Sequence, residues 1–195
     1  MKKIAVFASG SGTNFQAIID SIKHGQLDAE IKLLVCDHPN AYCIERAENE
    51  NIPRFVFSAK KYAEKKEYEQ EIIQKLNDLD VEYIILAGYM RLIGSTLLKP
   101  FENRIINIHP SLLPAFPGKD AIGQALEAKV KTSGVTIHFV DEGMDTGPII
   151  AQQAVELSDA ETIESLQEKI HAIEHELYPA TLQKVFNGTY MMTNK

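Results

Sequence analysis

The chain has 195 residues, 45% of them hydrophobic and 24% charged, with no Trp and a formal net charge of -7. That length suits one domain with a proper core, and the composition excludes disordered, collagen-like and membrane-spanning classes. The acidic balance argues against a general nucleic-acid binder, although it says nothing about one local anion pocket.

The amino terminus, MKKIAVFASGSG, sets two lysines before an apolar run that lasts only from Ile4 to Ala8. Signal peptides carry roughly 7–15 apolar residues there, and no later segment approaches the ~20 needed to span a bilayer. A cytoplasmic protein is expected. KIAVFAS reads as a strand buried on both faces. Gly10-Ser11-Gly12-Thr13-Asn14 breaks it, after which Phe15, Ile18, Ile19 and Ile22 share one helical face until Gly25. A second strand, IKLLVCD, leads to a helical AYCIERAENEN and the short apolar RFVF. Cys36 and Cys43 lack metal or CxxC spacing and read as buried, reduced thiols. From Lys60 to Leu79 apolar residues recur at helical intervals among many charges, which marks a helix with a solvated face. VEYIILAGY and NRIINIH are buried strands, and the segment between them, with Gly94 and Pro100, reads as loop.

After Pro110 a Pro- and Gly-rich loop, SLLPAFPGKD, precedes a helical AIGQALEAKV. SGVTIHFVDEG and PIIAQQAVEL then alternate like antiparallel strands joined through MDTG. A long helix from Thr162 to Val185 closes the chain and is expected to be interrupted around Pro179. Strands alternating with helices predict one α/β domain over 1–195. It should be a Rossmann-like, mainly parallel sheet with helices on both faces and an antiparallel carboxy-terminal edge.

Three stretches carry chemistry. SGSGTN, between a strand and a helix, offers backbone N–H groups to an anion. It is not a Walker A loop, since no GK[ST] follows, and Phe15 replaces the third glycine of GxGxxG. Taken alone it is equally a glycine turn with Thr13 or Asn14 capping the helix. Asn107 and His109 alternate on a strand and so project to one side, at the sheet edge where such folds bind ligands. An amide donor beside an imidazole can stabilise an oxyanion and transfer a proton. In DEGMDTGP three acids stand close together, Asp141, Glu142 and Asp145, and spacing does not choose among them. A carboxylate from this turn that met His109 would orient the ring and favour its charged form. An Asp in such a turn otherwise bonds its own backbone. The remaining histidines, His138 and His171 among them, show no ligand spacing, and no metal is expected. Ser111 lacks the GxSxG elbow of a hydrolase.

FASGSGTNFQAIID, LAGYMRLI, INIHPSLLPAFPG, VDEGMDTGPIIAQ and IEHELYP occur in this order and span most of the chain. In these motifs the sequence resembles the folate-dependent phosphoribosylglycinamide formyltransferases. The resemblance implies the formyltransferase fold, with about 1–100 as a phosphate- and nucleotide-binding half and about 101–195 as a folate-binding and catalytic half. It implies 10-formyltetrahydrofolate as co-substrate, without a metal, and glycinamide ribonucleotide as acceptor. Asn107, His109 and Asp145 match the family's catalytic trio. Gly12, Thr13 and Asn14 match the loop that holds the phosphate, and Glu174 matches an acid near the glycinamide end. Met90, Arg91, Leu92 and Ile93 match the wall of the folate pocket, which Asn107 also borders. Lys65 lies where relatives carry a basic residue toward the folate.

The implied partners are these two small molecules, with neither nucleic acid nor membrane, and with room for a homodimer. Methionyl-tRNA formyltransferases share the SLLP and MDTG stretches but carry a further carboxy-terminal domain. Formyltetrahydrofolate deformylases usually add a regulatory domain in front, so the length here is expected to favour neither. A non-catalytic phosphate-binding module would explain the glycine loop and leave Asn107, His109 and Asp145 without purpose. Convergence of those three side chains beside an apolar pocket separates the two readings.

Overall fold

The computed structural model describes residues 1–190. Its strands are β1 (Lys2–Ala8), β2 (Ala29–Cys36), β3 (Arg54–Val56), β4 (Tyr83–Leu86), β5 (Ile105–His109), β6 (Thr132–Phe139) and β7 (Ile149–Glu156). Its helices are α1 (Thr13–Lys23), α2 (Tyr42–Asn49), α3 (Lys65–Asp78), α4 (Ser95–Leu98), α5 (Ala121–Glu127) and α6 (Ile163–Phe186). The strands form one sheet in the order β3-β2-β1-β4-β5-β6-β7. β1 to β5 pair in parallel, and β6 and β7 add the antiparallel edge.

Alternation along β1 divides the core. Ile4, Val6 and Ala8 face one cluster, which Phe15 and Ile18 of α1 and Ile170 and Leu182 of α6 also fill. Ala5 and Phe7 face the other, beneath Tyr68, Ile72 and Leu76 of α3. Helices therefore cover both faces of the sheet, which explains why its central strands read as continuous apolar runs.

The order of strands reverses between β1 and β4. In open α/β sheets a crevice forms outside the carboxyl ends of two such strands. Here the glycine loop leaves β1 and the segment after Leu86 leaves β4. The apolar run VEYIILAGY yields a strand of only Tyr83–Leu86 because Gly88, at φ +79°, turns the chain out of the sheet. Likewise, α3 begins at Lys65 rather than near Lys60. The Glu67 side chain reaches back to the backbone N–H groups of Ala63 and Glu64 and starts the helix there. The segment expected to be loop before β5 contains α4 and a single 3₁₀ turn, Lys99–Phe101.

The expected break at Pro179 does not occur: α6 runs unbroken through it. Proline removes one N–H and crowds the preceding turn, but neighbouring Tyr178 locks the helix to the sheet. That side chain is fully buried, and its hydroxyl lies 2.9 Å from the carbonyl oxygen of Leu86 and 3.0 Å from that of Ile106. At its start α6 has a capping box, in which Ser165 N–H donates to Thr162 Oγ1 at 3.1 Å and Thr162 N–H to Ser165 Oγ at 3.0 Å.

Candidate active site

Every expected site residue except Lys65 lines one cleft of about 850 Å³ at the crevice between β1 and β4. The cleft has three walls, each built by a different kind of constraint.

The first wall is the glycine loop. Gly12 caps α1 with φ +71°, and a Cβ there would stand 2.7 Å from Cys43 Cβ, so glycine is required twice over. α2 supports the loop from behind: Cys43 N–H donates to Gly10 O at 3.0 Å and Arg46 Nε to Ser11 O at 2.8 Å. The α1 amino terminus, with Thr13 and Asn14, thus faces the cleft with its unpaired N–H groups. Asn14 Nδ2 donates to Glu174 Oε2 at 2.9 Å, joining α1 to α6. Asn14 Oδ1 is buried and receives no donor among the described residues. Glu174 is buried, and burial pushes its carboxyl up to about 7, the Asn14 amide offsetting part of the effect.

The second wall is the segment after β4. It forms neither helix nor strand; three side chains hold its backbone and a fourth holds the Arg91 side chain. Ser9 Oγ accepts from Met90 N–H at 2.9 Å, and Asp37 accepts from Arg91 Nε at 2.7 Å. Lys65 donates to the Leu92 carbonyl, and buried Glu69 accepts from Gly94 N–H at 2.6 Å. Lys65 therefore meets the back of the wall rather than the cleft. Met90 and Leu92 remain exposed at the cleft mouth, as does Met144 across from them.

The floor comes from β5, β6 and the turn between β6 and β7. Asn107 and His109 both line it, as strand alternation predicts. Antiparallel pairing sets His138 of β6 directly opposite Asn107. His138 Nδ1 lies 2.8 Å from the Phe139 carbonyl, which can only accept, so that nitrogen carries the proton. In the neutral ring Nε2 then accepts from Asn107 Nδ2 at 3.2 Å, fixing which way the amide faces. His109 Nε2 lies 2.8 Å from Phe116 O, and its Nδ1 lies 3.4 Å from Asp145 Oδ2. Both ring nitrogens of His109 thus face oxygen acceptors, which the two N–H groups of an imidazolium satisfy together.

The turn separates its three acids. Asp141 is spent locally, accepting from Gly143 N–H at 3.0 Å and Thr146 Oγ1 at 2.6 Å. Glu142 is exposed. Asp145, at φ +55°, is swung inward and also accepts from Gly118 N–H at 2.8 Å, with His138 Nε2 3.6 Å from its second oxygen. Burial raises the Asp145 carboxyl, but His138 when its Nε2 also carries a proton, the Gly118 N–H and protonated His109 outweigh it and hold the group below its ordinary value.

His138 went unrecognised in the sequence because it shows no ligand spacing. The available signal was an imidazole set between Ile137 and Phe139 in a strand that is buried from Ser133 onward. Asp37 and His171, which lines the cleft beside the glycine loop, carried no signal of their own. Cys36 and Cys43 are both buried thiols, with sulfurs 3.6 Å apart.

The family model described as formyl transferase matches residues 2–182. A curated relative from Bacillus subtilis, phosphoribosylglycinamide formyltransferase, is 56% identical over 95% of this chain and 95% of its own length. The solved structure of glycinamide ribonucleotide transformylase 1 from Geobacillus kaustophilus is 61% identical. It superposes with a TM-score of 0.93 over 95% of this chain and 98% of that one. A trifunctional purine biosynthetic protein of Drosophila melanogaster is 40% identical over 98% of this chain, which covers 14% of that longer protein.

Proposed function

This chain belongs to the formyl transferase family, and from that premise we propose how its cleft performs the reaction. The enzyme transfers a formyl group from a folate-derived donor to the amine of glycinamide ribonucleotide, a reaction of purine biosynthesis. The donor in this reading is 10-formyltetrahydrofolate, and the enzyme works in the cytoplasm. Among the described residues no helix is long and apolar enough to cross a membrane.

The observation that carries the reading is the convergence of Asn107, His109, His138 and Asp145 on the floor of one cleft, between the glycine loop and the apolar wall. The phosphate of the ribonucleotide docks at the α1 amino terminus, where Gly12, Thr13 and Asn14 present donors and the helix dipole favours an anion. The glycinamide end then reaches Asn14 and Glu174. Buried Asn14 Oδ1 is an acceptor awaiting a donor, and the substrate supplies N–H and O–H groups. The folate lies against Met90 to Ile93, its formyl group toward Asn107. Lys65 supports that wall through Leu92.

The neutral amine attacks the formyl carbon, and negative charge collects on the formyl oxygen. Asn107 has one amide hydrogen committed to His138 and presents the other to the cleft. Protonated His109 supplies the second donor, exchanging the Phe116 carbonyl for the developing oxyanion. Asp145 balances the imidazolium charge across 3.4 Å. A new C–N bond forms, the bond to the folate nitrogen breaks, and the amine's proton passes to the departing nitrogen through this acid–base group. Neither Asn107 nor Asp145 can be mispositioned without disturbing His138, which touches both.

The reading is tested by a spectroscopic assay with 10-formyltetrahydrofolate and glycinamide ribonucleotide. Folate product should appear only when both are present. Product without the ribonucleotide would mean a deformylase, and no product from folded protein would leave a binding module.

A further inference from the structure

Asp37 is a buried carboxylate that this chemistry leaves unused. It follows the end of β2, and its side chain is 1% exposed. One oxygen accepts from Ser9 Oγ at 2.5 Å and the other from Arg91 Nε at 2.7 Å. Ser9 passes the constraint on, because the same hydroxyl accepts from Met90 N–H at 2.9 Å, while Ser9 N–H donates to Gly88 O at 3.0 Å. Both branches from Asp37 therefore end on Met90 and Arg91, in a segment without regular secondary structure of its own.

Burying an ion pair seldom stabilises a fold more than apolar packing would, so such a pair acts chiefly by specifying geometry. Ser9 and Arg91 both belong to segments that lead into the cleft. The Arg91 side chain is 35% exposed, so it bridges the buried carboxylate and the open cleft. An irregular loop that receives a ligand must be ordered beforehand if the ligand is not to bear the ordering entropy. Side-chain bonds to its backbone and to Arg91 do this ordering here.

We propose that Asp37 is a positioning residue for the formyl donor: through Arg91 directly and Met90 by way of Ser9, it sets the wall against which the folate binds. The inference rests on the assignment of Met90 to Ile93 as the folate wall. Ser9 opens the glycine loop, but beyond it the loop is held by α2, through Cys43 N–H to Gly10 O and Arg46 Nε to Ser11 O, so the ribonucleotide site should depend on Asp37 far less than the wall does.

Asp37→Asn tests this, since an amide of the same shape cannot accept from both Ser9 Oγ and Arg91 Nε. The expected result is a rise of about tenfold or more in KM for 10-formyltetrahydrofolate. KM for glycinamide ribonucleotide and kcat should stay within about twofold. In an Arg91→Ala background the same change should have a much smaller effect, because its main route is gone. An unchanged folate KM, or a parallel loss in kcat and both KM values that follows a fall in Tm, overturns the proposal. Should Asp37→Asn not fold, Ser9→Ala removes the bridging hydroxyl without touching a charge and must raise the same KM selectively. Leu92→Asp separates the two ideas. If it too leaves the folate KM unchanged, the wall assignment fails; if it alone raises KM, only the role of Asp37 fails.

Discussion

Replacing Glu174 with Gln should alter how stability depends on pH more than it alters the fold. The carboxyl is buried, and burial raises it from 4.5 to about 7. The native state therefore holds the proton more tightly than the unfolded chain does. For an acid shifted upward, the stabilisation is complete below 4.5 and is lost as pH rises through about 7. Relative to the neutral form, that shift costs about 1.4 kcal/mol at pH 5.5 and about 3.4 kcal/mol at pH 8.5, a difference of about 2 kcal/mol. Gln keeps the shape and can still accept from Asn14 Nδ2, but it does not titrate. The stability of Glu174→Gln relative to wild type should thus grow by about 2 kcal/mol between these two pH values, or roughly 4–8 °C in Tm. Urea denaturation followed by circular dichroism suits a chain without Trp. Two curves that stay parallel from pH 5.5 to 8.5 would refute the reasoning, for they would place the Glu174 titration outside this interval.

Other substitutions address the remaining parts of the site. His109→Ala should lower kcat by about a hundredfold or more, as expected for a lost oxyanion donor, with modest change in either KM; near-normal turnover would remove His109 from the chemistry. Thr13→Ala should raise KM for the ribonucleotide and leave kcat alone, and a pure kcat defect would argue against phosphate contact there. Tyr178→Phe should lower stability by about 1–2 kcal/mol, since the Leu86 and Ile106 carbonyls lose a buried donor; chemical denaturation measures this, and an unchanged midpoint would show that the hydroxyl bonds contribute nothing.

Local pattern made much of the fold legible. The apolar runs of β1, β4 and β5 lie where burial on both faces demands them, and Gly25, at φ +72°, follows the end of α1. Asn107 and His109 could be placed on one side of a strand because that needs only a period of two. Two kinds of information were out of reach. His138 meets Asn107 only through antiparallel register between strands separated by a long loop and α5, and no spacing encodes that register. Asp141 and Asp145 are chemically alike in the sequence. What separates them is the positive φ that swings Asp145 inward and the Gly118 N–H that receives it. Pro179 misled for a related reason. Its penalty is local and readable, whereas the compensation, Tyr178 seated between two strands, is tertiary.

The bond between Asn14 and Glu174 joins residues 160 positions apart, and it has a consequence during synthesis. A nascent chain presents its glycine loop before the wall, and the wall before the strand with Asn107 and His109. The partner of Asn14 emerges only with α6, and so does Tyr178, which ties that helix to β4 at Leu86 and to β5 at Ile106. Contacts of such long sequence separation form late and slowly. The growing polypeptide therefore cannot complete this cleft until α6 is free to dock. Premature termination before α6 should leave a fragment that carries Asn107, His109 and Asp145 yet lacks one side of the cleft they line.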